Sequence, residues 1–401
     1  MSAPALDRAR PHLAALTEHL QQAGAIRSKA WADAFASVPR HVFVPSWFEQ
    51  ETNDKGIAVW RQRQAADETT LTAVYRDITL VTALDPTTAE QVADTAWTGI
   101  PTSSSTLPSL MAGMLEDLDV QDGHRVLEIG TGTGYNAALL CARLGPAAVH
   151  SMDVDEELVD TARQRLALIG YEPQLVAGDG TQGWPDGILF DRLIATCSVP
   201  AVPGEWLEQL RPGGVLVTDI ALGIEGGLVR LSPQGDGRTR GAFTATAGRF
   251  MPARSQARTY PEQPRPERAP AAGSRPTPLT AAEIRAHYPL RLVLAFQLPG
   301  TELVYHVDEN GMALQLQRND GSWARVPLSG EGAGIVTYGD HDGLWKAAEA
   351  AWKWWASVGR PEQDRFGYAR EADGSAYAWY LADGTLWHLP GQRSSGDHAS
   401  G

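Results

Sequence analysis

The chain has 401 residues, 43% of them hydrophobic, which is enough for two or three domains that each bury a core and is unlike a disordered chain. Lys and Arg total 34 against 48 Asp and Glu, and the resulting charge of -14 argues against a general binder of nucleic-acid backbones, which gains affinity from clustered cations. Two cysteines, Cys141 and Cys197, exclude a disulfide framework and leave too few thiols for a thiolate zinc site.

The opening MSAPALDRARPHLAAL has no basic stretch followed by an apolar one, and no apolar run reaches the roughly 18 residues of a membrane span. A soluble cytoplasmic protein with no membrane or nucleic-acid partner is expected. Leu13, Leu16, Leu20 and Ile26, then Trp31, Phe35 and Val38, recur near helical spacing and predict an N-terminal helical segment that Pro39 closes. From Arg125 onward the pattern alternates. Strands are predicted over 126–129, 149–152, 174–177, 190–195 and 215–219, with helices over 136–144, 156–169 and 205–210. This alternation predicts an α/β fold with a mainly parallel sheet, helices on both faces and a ligand outside the carboxyl ends of the strands.

Seven of the 26 prolines fall between Pro252 and Pro278, interleaved with Arg254, Arg258, Arg265, Arg268 and Arg275. Such a stretch predicts a linker over 251–279. It separates a catalytic domain, 1–250, from a smaller α+β accessory domain, 280–390, and the polar tail 391–401 is expected to be disordered. In the accessory domain, strands are predicted over 290–296 and 303–307, and hairpin turns at Asn319-Asp320-Gly321 and Ala382-Asp383-Gly384. A Trp-rich amphipathic helix is predicted over 343–357. The tryptophans of this domain, Trp323, Trp345, Trp352, Trp354, Trp355, Trp379 and Trp387, either help hold a peptide substrate or form a plain hydrophobic core.

The stretch most informative about chemistry is Val126-Leu-Glu-Ile-Gly-Thr-Gly-Thr-Gly-Tyr135, a buried strand entering a loop with Gly130, Thr131, Gly132 and Gly134, then a helix. Glycines there let a backbone approach a ligand at a helix N-terminus. A dinucleotide fingerprint would place a third glycine where Tyr135 stands, and Glu128 before the loop suits an ammonium-bearing ligand better than a pyrophosphate. Asp153 lies nineteen residues beyond Gly134, at the end of the next strand, where an acid reaches ribose hydroxyls. Asp179 closes the third strand within Gly178-Asp-Gly180, where it can accept from an adenine amino group. No phosphate-binding lysine accompanies them. The layout is that of an S-adenosyl-L-methionine site. Glu128 either faces the methionine ammonium through water or ties the neighbouring helix. His306, His341 and His388 lack metal-ligand spacing, so no metal is expected, and Cys197 reads as a packing residue.

The region from about 38 to 254 resembles the protein-L-isoaspartate O-methyltransferases, a branch of the class I S-adenosylmethionine-dependent (Rossmann-like) enzymes. The resemblance rests on Val38-Pro-Arg-His-Val-Phe-Val-Pro45, Tyr75-Arg-Asp77, the glycine loop with Asn136-Ala-Ala138, and Val176-Ala-Gly-Asp-Gly-Thr-Gln-Gly-Trp-Pro185. It continues through Phe190-Asp191, Ala195-Thr196 and Gln209-Leu-Arg-Pro-Gly-Gly214. It implies that Thr106, in Ser103-Ser-Ser-Thr-Leu-Pro108, takes the place of the family's active-site hydroxyl, that Ser103, Ser104 and Ser105 line the cofactor site, and that Met111 falls at a further contact. With Val154, Gly180 and Thr196, these residues complete the candidate cofactor set. The same Ser103 to Thr106 stretch also reads as a helix N-cap.

The departures fall on the substrate side. Extra sequence with Trp47, Trp60 and Trp97 lies between 45 and 75 and between 80 and 102, the usual glycine and glutamine before the hydroxyl segment are missing, and Leu216-Val-Thr-Asp-Ile220 replaces a proline-bearing turn. That pattern resembles the homologues that act on ribosomally synthesised, modified peptides alongside ATP-grasp ligases (graspetides) or lanthionine synthetases. It implies methylation of an aspartate in a constrained precursor peptide and closure of the ester to an aspartimide (succinimide). The alternatives are repair of isoaspartate in damaged proteins and a catalytically silent scaffold. The linker arginines offer one way for an acidic protein to attract an aspartate-bearing peptide.

Overall fold

The structure is a computed structural model that describes residues 3–52, 58–65, 68–93, 95–255, 270–308, 311–328, 330, 334–339 and 341–390. The chain forms two compact units: 1–197, 205–218 and 250–260 in the first, and 198–204, 219–249 and 261–401 in the second.

The first unit opens with the helices Ala3–Gln22 and Lys29–Ser37, whose apolar faces bury Leu13, Leu16, Leu20, Trp31 and Phe35. Ser28 caps the second by accepting from the Trp31 N–H at 3.3 Å. The sheet that follows is parallel where it was expected to be. Strand Val126–Ile129 lies between Val149–Asp153 and Phe190–Val199, Gln174–Ala177 lies outside Val149–Asp153, and Leu210–Ala221 lies beside Phe190–Val199. The helices Tyr135–Leu144 and Glu156–Leu168 connect the first three strands. All four residues of Val126–Ile129 are buried, as a central strand covered on both faces requires. Because the chain winds outward from this strand in one direction and then returns to its other side, the order reverses between 126–129 and 190–199. The crevice opens at the carboxyl ends there.

The two insertions form a single element. Strands Ser46–Thr52, Ala58–Gln64, Leu80–Leu84, Glu90–Ala93, Ala96–Thr98 and Pro101–Ser105 make a six-stranded antiparallel sheet in the order 90–93, 96–98, 58–64, 46–52, 80–84, 101–105. Trp47 is fully buried, Trp60 stands opposite Trp97, and the Trp60 indole donates to the Gly99 carbonyl at 3.0 Å. The inserted tryptophans thus hold this sheet together.

In the second unit, strands Gly226–Gly235, Arg238–Phe243, Phe366–Arg370, Ala376–Tyr380 and Leu386–Leu389 follow one another across an antiparallel sheet. Helix Tyr288–Gln297 covers one face, with Phe296 meeting the rings of Phe243, Phe366 and Trp387 at centroid distances of 5.5, 5.5 and 5.6 Å. A second sheet pairs Ala271–Pro276, Ile335–Gly339, Trp323–Pro327, Gly311–Arg318 and Thr301–Asp308 in that order. The predicted hairpin turns fall between paired strands, and the Trp-rich helix spans Gly343–Ser357. Trp345 and Trp355 on it are buried core residues whose indoles donate to Thr277 Oγ1 at 2.8 Å and to the Pro361 carbonyl at 3.0 Å.

Several expectations need correction. The stretch 290–296 is helical, not a strand: with Arg291 its one polar residue, the run carries too little period to separate the two, and Pro289 at the first turn favours the helix. The expected linker is shorter than 251–279. Residues 271–276 form a sheet strand, Leu279 is fully buried, and Arg275 is committed to Asp342 at 3.0 Å and to Glu349 at 2.9 Å. Residues 256–269 and the tail 391–401 lie outside the described residues. The boundary expected at 250 also moves, since 219–249 pack within the second unit. No helix among the described residues is long and apolar enough to cross a membrane, and no His, Cys, Asp and Glu cluster there could hold a metal ion.

Candidate active site

Three strand ends and one edge strand converge on the site in the first unit. The glycine loop leaves Val126–Ile129 with Gly130, Gly132 and Gly134 at φ of 98°, 50° and 87°, values that side chains resist. A Cβ on Gly130 would lie 2.6 Å from Thr196 Oγ1, and one on Gly134 would lie 3.0 Å from Ala162 Cβ, so both glycines are fixed by packing. Gly132 differs: a Cβ there would meet only Ser103 Oγ, at 3.9 Å. The middle of the loop therefore faces open space, with the serine strand alongside.

Beneath the loop runs a buried polar chain. Glu128 is fully buried and accepts from Asn136 Nδ2 at 2.7 Å and from the Ser151 hydroxyl at 2.5 Å. With the Ser151 proton committed, the Thr131 hydroxyl, 2.7 Å away, donates to Ser151. Burial pushes the Glu128 carboxyl up to about 7 despite these two donors. Glu128 thus ties its strand to the helix that begins at Tyr135. Thr196 donates to the Gly130 carbonyl at 2.8 Å and holds the loop from the neighbouring strand.

Asp153 ends its strand with Oδ2 accepting the Gly132 N–H at 2.8 Å and Oδ1 accepting from Asp155 N at 3.2 Å. Burial raises its pKa, while these amides and the nearby Arg254 pull the other way. Val154 follows it, half-buried. Asp179 directs Oδ1 to the Thr181 N–H and hydroxyl at 2.9 and 2.7 Å. The adjacent Gly180 carbonyl accepts from the buried Trp206 indole at 2.7 Å. Gln209 clamps the same motif, its Oε1 accepting from Trp184 N at 2.8 Å and its Nε2 donating to the Trp184 carbonyl at 2.7 Å. These groups fit an S-adenosylmethionine nucleoside: an open glycine, and acids at the ends of the next two strands that are braced by backbone amides.

The serine segment is not a helix cap. Ser103, Ser104 and Ser105 lie on the edge strand Pro101–Ser105, and helix Pro108–Leu118 takes Leu107 as its N-cap, with no side-chain capping bond. The free amides are instead satisfied from 77–79: Thr79 Oγ1 accepts from Leu107 N at 3.1 Å and Asp77 Oδ1 from Ser109 N at 2.9 Å. Ser103 accepts from Thr82 Oγ1 at 3.1 Å. Met111 is buried in the helix face. The Thr106 hydroxyl makes no hydrogen bond to the described residues and is half-buried.

Arg40, quoted in the sequence only as part of a motif, is a buried hub. Its side chain is fully buried and donates to Ser105 Oγ and to the carbonyls of Val74, Arg76, Ile78, Ser105 and Thr106 at 2.9 to 3.3 Å. Burial lowers its pKa to about 10. One guanidinium thereby ties the turn that carries Thr106 to the segment 74–78. An arginine between Val38-Pro39 and Val42-Phe43 was the available signal.

A parallel sheet in this order, with an open glycine loop after its first strand and braced carboxylates ending the next two, defines a class I S-adenosylmethionine-dependent methyltransferase. Residues 71–258 match the family model described as Protein-L-isoaspartate(D-aspartate) O-methyltransferase. The chain is 33% identical over 208 residues to the protein-L-isoaspartate O-methyltransferase of Methanopyrus kandleri, a match that covers 51% of this chain and 75% of that protein. It is 42% identical over 131 residues to protein-L-isoaspartate O-methyltransferase 2 of Pelobacter propionicus, covering 32% and 57%. A solved protein-L-isoaspartate O-methyltransferase aligns with 88% of this chain and 95% of its own at 22% identity and a TM-score of 0.48. The chain belongs to the protein-L-isoaspartate O-methyltransferase family.

Proposed function

We propose that the protein methylates the side-chain carboxylate of isoaspartyl residues in polypeptides. When bound, S-adenosylmethionine supplies the methyl group as an electrophile. The chain's own residues hold and orient. Asp153 and Asp179 accept from the nucleoside, the glycine loop admits it, and Thr106 donates a hydrogen bond that aims the substrate carboxylate. A carboxylate with an ordinary pKa of about 4 is ionised at neutral pH, so no general base is needed. The observation that carries this reading is the Thr106 hydroxyl, without a partner among the described residues and held by Arg40 through its own carbonyl. The names of the relatives favour isoaspartate over the peptide-tailoring role that the sequence first suggested.

A second reading remains, in which the acceptor is an aspartate of a constrained, ribosomally synthesised peptide and the ester closes to an aspartimide. It is favoured by the inserted six-stranded sheet, whose edge strand is the serine strand itself. The experiment compares kcat/KM for a linear isoaspartyl peptide with that for a cross-linked aspartyl precursor peptide. Preference for the linear peptide supports repair. Methylation of the cross-linked peptide alone replaces it with tailoring.

A further inference from the structure

The accessory unit carries an exposed cationic and aromatic sheet face. In the sheet of strands 226–235, 238–243, 366–370, 376–380 and 386–389, the covered face holds Phe243, Phe366, Tyr368 and Trp387. Residues directly opposite in an antiparallel pair point to the same side. Arg230 opposes Ala242, Arg240 opposes Ala369, Ala369 opposes Tyr377, and Gly367 opposes Trp379, so these side chains share the other face. Arg238 joins them two residues before Arg240, and His388, opposite Tyr377, extends the row. Arg230, Arg238, Arg240 and His388 are exposed, while Tyr377 and Trp379 are half-exposed.

The face is organised. Trp379 lies flat on Gly367, where a Cβ would come within 2.1 Å of the indole, so the glycine is the seat of the ring. The Arg240 guanidinium stacks over Trp379 at 4.3 Å from the ring centroid, and the Tyr377 ring stands 5.8 Å from it. Asp236 offsets Arg238 only at 3.9 Å, and Glu371 lies beside Tyr377. A cationic and aromatic face of this kind stands out on a chain of net charge -14. Of the linker arginines first considered for this role, Arg275 is spent on Asp342 and Glu349.

We propose that this face docks an acidic stretch of the polypeptide substrate, its carboxylates on the arginines and an apolar or aromatic side chain against Trp379. The inference rests on the reading of the protein as a polypeptide carboxyl methyltransferase. The observation behind it is charge complementarity confined to one patch. Five strands spaced ~4.8 Å apart give a face about 19 Å across, the reach of five or six extended residues. A nucleic acid fits less well: a longer polyanion would run past three arginines onto an acidic surface, and a Debye length of about 8 Å leaves that repulsion effective close to the protein.

The test uses the full chain and three fluorescein-labelled probes: a six-residue peptide of Asp and Glu with one Leu, its Lys-substituted counterpart, and an oligothymidylate. Anisotropy should show the acidic peptide binding the wild type, more weakly as salt rises, and the Lys peptide not binding. Arg230→Glu with Arg240→Glu should weaken binding by about tenfold or more, and Arg230→Lys with Arg240→Lys should keep it within about threefold. Arg238→Glu, on the same face, is the second variant should the pair fail to fold. Absence of binding, equal affinity in the charge-reversed variants, or tighter binding of the oligothymidylate would overturn the proposal. Methyl transfer by the wild type to a short isoaspartyl peptide is measured separately. Transfer without probe binding sinks only the docking face, and probe binding without transfer sinks only the proposed function.

Discussion

The glycine loop and the serine strand meet at one site but are secured by opposite means. The loop is braced from inside the parallel sheet by a buried chain of Asn136, Glu128, Ser151 and Thr131, and from its flanks by Asp153 and Thr196. The strand that carries Ser103 to Ser105 is the edge of an inserted antiparallel sheet, and the turn after it is held by the Arg40 guanidinium and by Thr79 and Asp77. The cofactor side is thus built from many bonds between neighbouring strands and helices of one sheet. The substrate side depends on long-range anchors, from residue 40 to residues 105 and 106 and from residues 77 and 79 to residues 109 and 107. Insertions can then reshape the substrate side without disturbing the other.

The largest effect that would sharpen this contrast is predicted at Arg40. Arg40→Met removes six hydrogen bonds of the guanidinium, those to the carbonyls of Val74 and Ser105 among the buried ones, and should cost about 3–5 kcal/mol of stability, read from urea midpoints. A variant as stable as the wild type would show that the turn has other support.

Next comes Glu128, whose folded pKa of about 7 lies above its ordinary 4.5. An acid with a raised folded pKa stabilises the fold relative to its ionised form below its unfolded pKa, and this advantage is lost as pH rises through the folded value. Relative to Glu128→Gln, the wild type should therefore lose stability between pH 4.5 and about 7, by on the order of 3 kcal/mol, with little further change above. A flat difference across that window would mean that Glu128 stays ionised in the fold.

At the cofactor end, Asp153→Ala removes a braced acceptor and should weaken S-adenosyl-L-homocysteine binding about 10- to 100-fold in calorimetry. The smallest effect is expected at Trp60, whose indole holds the Gly99 carbonyl. Trp60→Phe should cost about 1 kcal/mol in thermal melts and leave cofactor affinity unchanged.

The cofactor side was largely legible in the sequence because its parts are local. Glycines at three positive-φ sites, an acid at each of two strand ends and the alternation of strand and helix all leave short-range patterns. The serine segment was read as a cap because hydroxyls before an apolar run look alike on a strand and at a helix start. Only the long-range bonds from Asp77 and Thr79 show where the helix amides go. Leu290 to Phe296 misled for a related reason, since a short run with Arg291 as its one polar residue shows too little period to separate helix from strand. The tryptophans divided in a way that composition could not show: Trp345 and Trp355 are core, whereas Trp379 lies on the open face with Arg240.

The most direct measurement is methyl transfer from labelled S-adenosylmethionine to an isoaspartyl peptide by the wild type and by Thr106→Val, with S-adenosyl-L-homocysteine affinity measured on both. The account predicts a base-labile methyl ester on the peptide, a rate at least about tenfold lower in the variant, and the same cofactor affinity in the two proteins. An unchanged rate in Thr106→Val, or a loss of cofactor affinity that accounts for the slower rate, would contradict it.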